Sequence, residues 1–309
     1  MASPPDPLGK TQSRYAVAQP PLLKANDLYR IKEFHIYQEA IERMQTHEDQ
    51  LPSLPTITLE IRNATANPNV NTDQLSALIA KDPSLTVILM KHASSVYYRS
   101  AGKPKNLHDV INRLGMRTVE NLTLAHSIKS LFVLRDHHLK DLYKQAWQRQ
   151  TLKACMSYHI AKSIHFAAAE DAMIASLLSE VGTLTLLVAL QNHDVPAEPT
   201  YKVLCKHYSK HLGAILLAKW GVAPIFTEVL RKTGAWTLNT GASLQLVDII
   251  NLGLFHTIQL LQPQNDLIPL QDLTAYKKLL PPYQQLKHQQ LALVNDHLPQ
   301  IQSMAKAFG

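Results

Sequence analysis

Apolar residues recur at three- and four-residue spacing through most of the 309-residue chain, and no stretch alternates as a half-buried strand does. The pattern predicts an all-α protein made of successive helix-turn-helix units. Its most apolar stretch, AMIASLLSEVGTLTLLVAL at residues 172–190, contains one adjacent polar pair, Ser179-Glu180. Length, small residues and the helical period predict one helix here, buried on most sides. Two polar residues in such a helix are costly unless satisfied. Glu180 is therefore expected to meet hydrogen bonds or a cation, and Ser179 to bond the helix backbone.

Around this stretch the chain divides by its breakers. Five prolines fall in the first 21 residues, which predicts an extended or disordered leader over 1–25. Asn26 or Asp27 can cap a helix over 27–45, with Leu28, Ile31, Phe34, Ile36, Ala40, Ile41 and Met44 on its apolar side. Leu51-Pro52-Ser53-Leu54-Pro55 forces an extended approach to a helix ending near residue 66. Thr72-Asp73 is expected to cap the next helix, and Asp82-Pro83 the one after it. Beyond Ser94-Ser95-Val96-Tyr97-Tyr98 comes a Gly/Lys/Pro loop, then helices through Leu114 and over 119–132. A long helix is expected over 139–165, with Trp147 and the small-residue stripe Ala154, Ser157 and Ala161. Asp194-Val195-Pro196-Ala197 reads as a linker, followed beyond the 208–224 segment by a helix over 225–232 and one that contains Val247-Asp248. Pro263, Pro269, Pro281-Pro282 and Pro299 cut the tail, 253–309, into short helices rich in Leu and Gln.

The frame Leu177-Leu178 … Val181-Gly182 resembles the central helix of HD-type phosphohydrolases, in which adjacent His and Asp bind a metal. Several motifs together resemble the HDOD domain, the HD-related output domain of bacterial signalling proteins. These are the Leu-Pro-x-Leu-Pro approach, the Asp82-Pro83 helix start with its Ser-Ser-x-x-Tyr end, Val110-Ile111-x-x-Leu114-Gly115 with Asn121-Leu122 beyond, and the 209–224 segment ending in Trp220 and Pro224. The resemblance spans about 45–252. It implies an all-α fold with a small helical lobe over 45–134 and an HD-like lobe over 139–252, within a domain at 26–252 that starts with the packing helix.

Position by position, the resemblance also shows what this chain lacks. The first HD histidine falls near Gln150, the His-Asp pair on Ser179-Glu180, a later His on Ser209 and the late His pair on Thr233-Gly234. Only Asp248 and Glu180 keep carboxylates. A hydrolytic centre needs several imidazoles and carboxylates converging on metal. This degenerate pocket is therefore expected to hold no metal, to need no cofactor and to do no catalysis. The expectation is a signal-transduction adaptor that recognises a protein or a small ligand. A metal-dependent phosphohydrolase with an unusual ligand set is the alternative from another class.

Composition adds less. A 46% hydrophobic content is ample for a large core. The formal charge of +7 admits an anionic partner, but only 18% of residues are charged. The one basic concentration is Lys91, Arg99, Lys103, Lys105, Arg113 and Arg117, interleaved with Tyr97 and Tyr98. It could be a solvated face or a surface for an anion, nucleotide or nucleic acid. His207 and His211 are spaced to share a zinc, but Tyr-Ser-Lys between them supplies no general base, and structural histidines are the better account. There is no phosphate-cradling glycine loop and no Gly-x-Ser-x-Gly elbow. Two cysteines in apolar helical sequence, Cys155 and Cys205, suit a reducing compartment. The sequence thus predicts a cytoplasmic protein with no membrane association.

Overall fold

The computed structural model describes residues 31–47, 51–95, 103–132, 134–167, 169–263 and 267–308, with side chains from residue 37 onward. The leader over 1–25, the caps Asn26 and Asp27, the side chains of Leu28, Ile31, Phe34 and Ile36, and the loop carrying Tyr97, Tyr98 and Arg99 lie outside the described residues.

Many of the helices start where a polar side chain or a proline can satisfy or dispense with the first backbone donors. The first lobe comprises α2 (Thr56–Ala66), α3 (Thr72–Ile79), α4 (Pro83–Ala93), α5 (Leu107–Leu114) and α6 (Met116–Leu131), preceded in the chain by α1 (Ile31–Thr46). At α4, Asp82 Oδ1 accepts from the Ser84 and Leu85 amides at 2.9 and 3.0 Å, with Pro83 in the first turn. At α3 the cap is Asn71, one residue before the expected Thr72-Asp73. Its side chain accepts from the Gln74 amide, while the Gln74 side chain accepts from the Asn71 amide. Gly115 joins α5 to α6 at φ +80°, which an L side chain rarely adopts.

The second lobe is α7 (His137–Ser163), α8 (Ala169–Leu178), α9 (Val181–Ala189), α10 (Glu198–Lys219), α11 (Pro224–Lys232) and α12 (Leu246–Leu261). The long α7 packs on α8 and α12, and α9 packs on α10. Helix α1 crosses to this lobe, against α9 and α10, with the Tyr37 hydroxyl donating to the Asp194 carbonyl at 2.9 Å.

Residues 172–190 are not the single helix expected. The helix ends at Leu178, Ser179 and Glu180 form a turn, and a second helix begins at Val181. Glu180, at φ −122° and ψ 9°, has left helical geometry. At this turn both side chains reach Lys153 of α7. Taken together, Ala169–Ala189 is long and apolar enough to cross a membrane, but 89% of its most apolar window is buried inside the protein, as in a core helix.

Two close crossings shape this lobe. A Cβ on Gly182 would lie 1.7 Å from the Ser209 carbonyl oxygen, so α9 and α10 touch backbone to backbone there. A Cβ on Gly253 would lie 2.1 Å from the Ser157 hydroxyl, where α12 meets the small-residue stripe of α7.

The expected boundary at residue 252 falls inside α12. Past it, the tail has α13 (Thr274–Lys277), α14 (Ala292–Asn295) and α15 (Leu298–Ala307). It also departs from the purely helical extension expected. Strand β1 (Leu286–Lys287) pairs antiparallel with β2 (Gln290–Leu291), Leu286 opposite Leu291. His288 and Gln289 turn between them at φ 51° and 62°, the left-handed pair a two-residue hairpin needs. Helix α15 packs on both α7 and α4, so the tail spans the two lobes. The Phe308 ring meets buried His92 edge-on at 4.5 Å, and Lys129 donates to the Phe308 carbonyl at 3.0 Å. Direct bonds join the lobes too: Lys219 to the Leu51 carbonyl at 2.6 Å, and the Trp220 indole to the Pro52 carbonyl at 2.9 Å. Buried apolar side chains form one connected cluster through both lobes and the tail.

Gly182→Ala is expected to destabilise the protein by about 3 kcal/mol or more, at or beyond the upper end for overpacking, because the obstacle is backbone and cannot rotate away. Denaturant unfolding of the variant against the wild type measures it.

Candidate functional site

Lys153 lies four residues after Arg149 and three after Gln150 on α7, so each of the two neighbours it on the helix surface. That face meets the turn between α8 and α9. Lys153, whose side chain is 0% exposed, donates to the Ser179 hydroxyl at 2.8 Å and to Glu180 Oε1 at 2.5 Å. Arg149 Nη2 donates to Glu180 Oε2 at 2.5 Å. The Ser179 hydroxyl in turn donates to the Ser176 carbonyl at 2.8 Å. Gln150 donates to the Leu177 carbonyl, tying α7 to the last turn of α8.

Burial alone would raise the Glu180 carboxyl, but Lys153 and Arg149 together hold it down to about 2. Burial pulls the Lys153 ammonium below its ordinary range, with Glu180 working against that pull. Glu180 raises the Arg149 guanidinium. The result is a charged triad of two cations on one carboxylate, in which Glu180 is 12% and Arg149 37% exposed. Buried pairs of this kind gain little over an apolar core when intact, but losing one partner typically costs about 3–5 kcal/mol.

The other positions matched to the HD ligand set are held differently. Ser209 accepts from the Thr183 hydroxyl at 3.3 Å, beside the Gly182 crossing. Thr233 donates to the Val229 carbonyl at 2.7 Å, closing the end of α11. Asp248 belongs to a separate group: it accepts from the Gln245 amide and the Thr240 hydroxyl and pairs with Lys278 of the tail at 2.9 Å. The structure therefore brings Gln150, Ser179 and Glu180 together around Lys153, while Thr233 and Asp248 cap helices. A metal does not fit this donor set. Both Glu180 oxygens already face cations, a divalent ion there would sit beside the Lys153 ammonium, and none of the matched positions offers an imidazole. Among the described residues no group of three or more His, Cys, Asp or Glu side chains is placed to hold a metal.

The basic concentration on the small lobe divides in two. Lys91, Lys103 and Lys105 are exposed, whereas Arg113 donates to the Ala93 carbonyl at 3.1 Å and Arg117 pairs across the lobes with Asp171 at 2.5 Å. Arg117 also meets Glu120 of its own helix. Of the two cysteines, Cys155 is buried as expected, but Cys205 is only partly so.

Sequence reasoning missed Arg149 and Lys153, the residues that decide the chemistry here. A signal was present. Lys153 is a lone charge inside the run Thr151–Ala161, where every residue is buried, and it lies four residues after Arg149.

The HDOD domain family model matches residues 51–234, more than half of the chain. The protein belongs to the HDOD domain family. An uncharacterized protein of Treponema pallidum (strain Nichols) is 24% identical over 195 residues, which is 59% of this chain and 37% of that relative, so the chain spans well under half of the relative's length. Among solved structures, a candidate metal-dependent phosphohydrolase of Shewanella amazonensis superposes with a TM-score of 0.72 at 18% identity, covering 90% of this chain and 100% of its own. An HDOD domain protein of unknown function from Geobacter sulfurreducens gives 0.64 at 14% identity, covering 89% and 99%. A candidate signal transduction protein of Marinobacter aquaeolei gives 0.59 at 20% identity, covering 90% of this chain and 66% of its own. At these identities the likeness is one of fold, and it extends beyond the HDOD match at both ends.

Glu180 is expected to make the second lobe sensitive to acid. Its folded-state pKa is depressed, to about 2 against an ordinary 4.5, so its contribution is complete above about 4.5 and is lost as pH falls towards 2. Glu180→Gln should lower unfolding free energy by about 3–5 kcal/mol at pH 7. Denaturant melts in a pH series should show that gap narrowing below pH 4.5.

Proposed function

We propose that this HDOD protein is a non-enzymatic signal-transduction module, one that keeps the helical frame of a phosphohydrolase and uses it to recognise a protein partner or small ligand. The observation that carries this reading is the Lys153 ammonium. It lies on Ser179 and Glu180, the two positions that match the metal-binding pair. A hydrolase of this type needs a metal to acidify a water and to clamp phosphoryl oxygens. Here a fixed ammonium takes up the carboxylate that would hold such a metal, and an ammonium offers water no open coordination position.

Membership in a family named for output domains of signalling proteins supports the reading, as does the fold shared with a candidate signal transduction protein. The Shewanella neighbour's name raises the enzymatic alternative. In this chain that alternative would need imidazoles at Gln150, Ser179 and Ser209, which are absent. Action in the cytoplasm, in a bacterial pathway, fits the two free thiols.

The test is purification without chelator, elemental analysis, and assays of phosphomonoesterase and phosphodiesterase activity with added Mn²⁺ or Mg²⁺. The expected result is no stoichiometric transition metal and no turnover, with Glu180→Ala altering stability alone. About one equivalent of metal per chain, together with hydrolysis lost in Glu180→Ala, would falsify the proposal.

A further inference from the structure

The tail meets each lobe at a histidine. On the small lobe, His92 of α4 is fully enclosed and neither of its ring nitrogens has a hydrogen-bond partner; the Phe308 ring of the tail lies against it at 4.5 Å. On the second lobe, His159 of α7 and His297, the N-cap of α15, have ring centroids 4.9 Å apart. Both rings reach one tail acceptor: His159 Nε2 lies 3.0 Å and His297 Nδ1 3.1 Å from the Leu293 carbonyl oxygen. The Ser163 hydroxyl is 3.3 Å from the same His159 nitrogen. Between these contacts α15 buries Ile301, Met304 and Ala307.

Both contacts suit neutral rings. An imidazolium at His92 would place a charge and two N–H donors where no acceptor reaches them. The charges beside it among the described residues are cations: Lys91 on its own helix, Lys129 of α6 on the Phe308 carbonyl, and Arg113 of α5 on the Ala93 carbonyl. Carboxylates on the helices packed against α4 are engaged elsewhere, Asp73 with His108, Asp109 with the Lys105 amide and Glu120 with Arg117, and α15 carries none. At the second contact, protonating both rings would set like charges 4.9 Å apart on one carbonyl. The carboxylates there also have partners: Glu170 has Lys162, Asp171 has Arg117, Asp248 has Lys278, and Asp296, next to His297, has Lys287. The remaining imidazole on a helix packed against α7, His256 of α12, is itself enclosed.

We propose that the tail is a proton-operated clasp: α15 closes across α4 and α7 while His92 and the His159–His297 pair are neutral, and protonation of these rings opens it with the lobes still folded. Opening uncovers a face of α4 and a face of α7 together. The clasp goes beyond the non-enzymatic reading and stands or falls separately from it.

Burial pushes His92 down to about 4, with Lys91 adding to the push. Burial also lowers His159, against the pull of the Leu293 carbonyl and with the help of His297. Groups depressed below an ordinary 6.5 favour the closed tail fully above about 6.5 and lose that effect as pH falls towards 4. If opening uncovers His92, that residue alone raises the opening constant about tenfold between pH 7.5 and 5.5. The Glu180 contribution persists down to about 4.5, so pH 5.5 separates the clasp from the triad.

The test is hydrogen exchange of the full chain at pH 7.5 and 5.5, read by mass spectrometry and corrected for the intrinsic pH dependence of amide exchange. Opening over 292–307 is expected to rise at least tenfold at pH 5.5, with 169–189 unchanged. His92→Leu, which keeps an enclosed apolar side chain without a titrating ring, should cut that ratio at least threefold. His297 is exposed, so His297→Gln should fold even if His92→Leu does not; its amide can still donate to the Leu293 carbonyl, and it too should reduce the ratio. A wild-type ratio below tenfold, loss of protection over 169–189 together with the tail, or an undiminished ratio in His297→Gln would overturn the clasp.

Discussion

The second lobe depends on how one carboxylate is neutralised. Glu180 lies where an apolar helix would otherwise run unbroken from Ala169 to Ala189, and an unpaired charge there would cost several kcal/mol or take up a proton. The chain answers with two cations on the neighbouring helix, both at 2.5 Å. That answer has structural consequences on either side. The backbone leaves helical geometry at Glu180 to present the side chain, and two residues later Gly182 meets the carbonyl of Ser209 with no room for a Cβ. The kink between α8 and α9, the α7 contact and the α10 contact are thus one arrangement.

A second buried pair does comparable work at the other end of the lobe. Lys278, from the tail, meets Asp248 with both side chains nearly enclosed, and Asp248 in turn caps α12 through the Gln245 amide. The tail then continues across α7 to reach α4 with α15 and Phe308. Residues beyond the family match therefore bind the lobes together, as do Lys219 and Trp220 on the carbonyls of Leu51 and Pro52. A proline cannot offer its own amide, but its carbonyl is free to accept, which gives the Leu-Pro approach a role beyond starting α2.

Much of the fold was legible because its determinants are local. Asp82-Pro83, Gly115 and the periodic apolar faces act within a few residues, and the helices they mark are present. The α3 cap was misplaced by one residue because Asn71, Thr72 and Asp73 are all good caps, and only the reciprocal bond with Gln74 separates them. The kink at Ser179-Glu180 was not legible, since it depends on a side chain 27 positions earlier in the chain. The site was half visible. That Glu180 needed a cation followed from burial alone; that the cation is Lys153 required knowing that α7 lies against α8. The hairpin of the tail was hidden by its brevity, two residues per strand with His288 and Gln289 in place of turn glycines.

The Lys153 ammonium and the Glu180 carboxylate are bonded to each other at the turn between α8 and α9 and act as one energetic unit. A double-mutant cycle of Lys153→Met and Glu180→Leu tests it most directly, by denaturant unfolding at neutral pH. Glu180→Leu strands the enclosed Lys153 ammonium, and Lys153→Met leaves Glu180 on Arg149 alone, whereas the double change removes both enclosed partners and leaves only the partly exposed Arg149 without a carboxylate. The account predicts a coupling free energy of about 2 kcal/mol or more, with the double variant no less stable than the worse single one. Additivity of the two single effects within about 0.5 kcal/mol would contradict it.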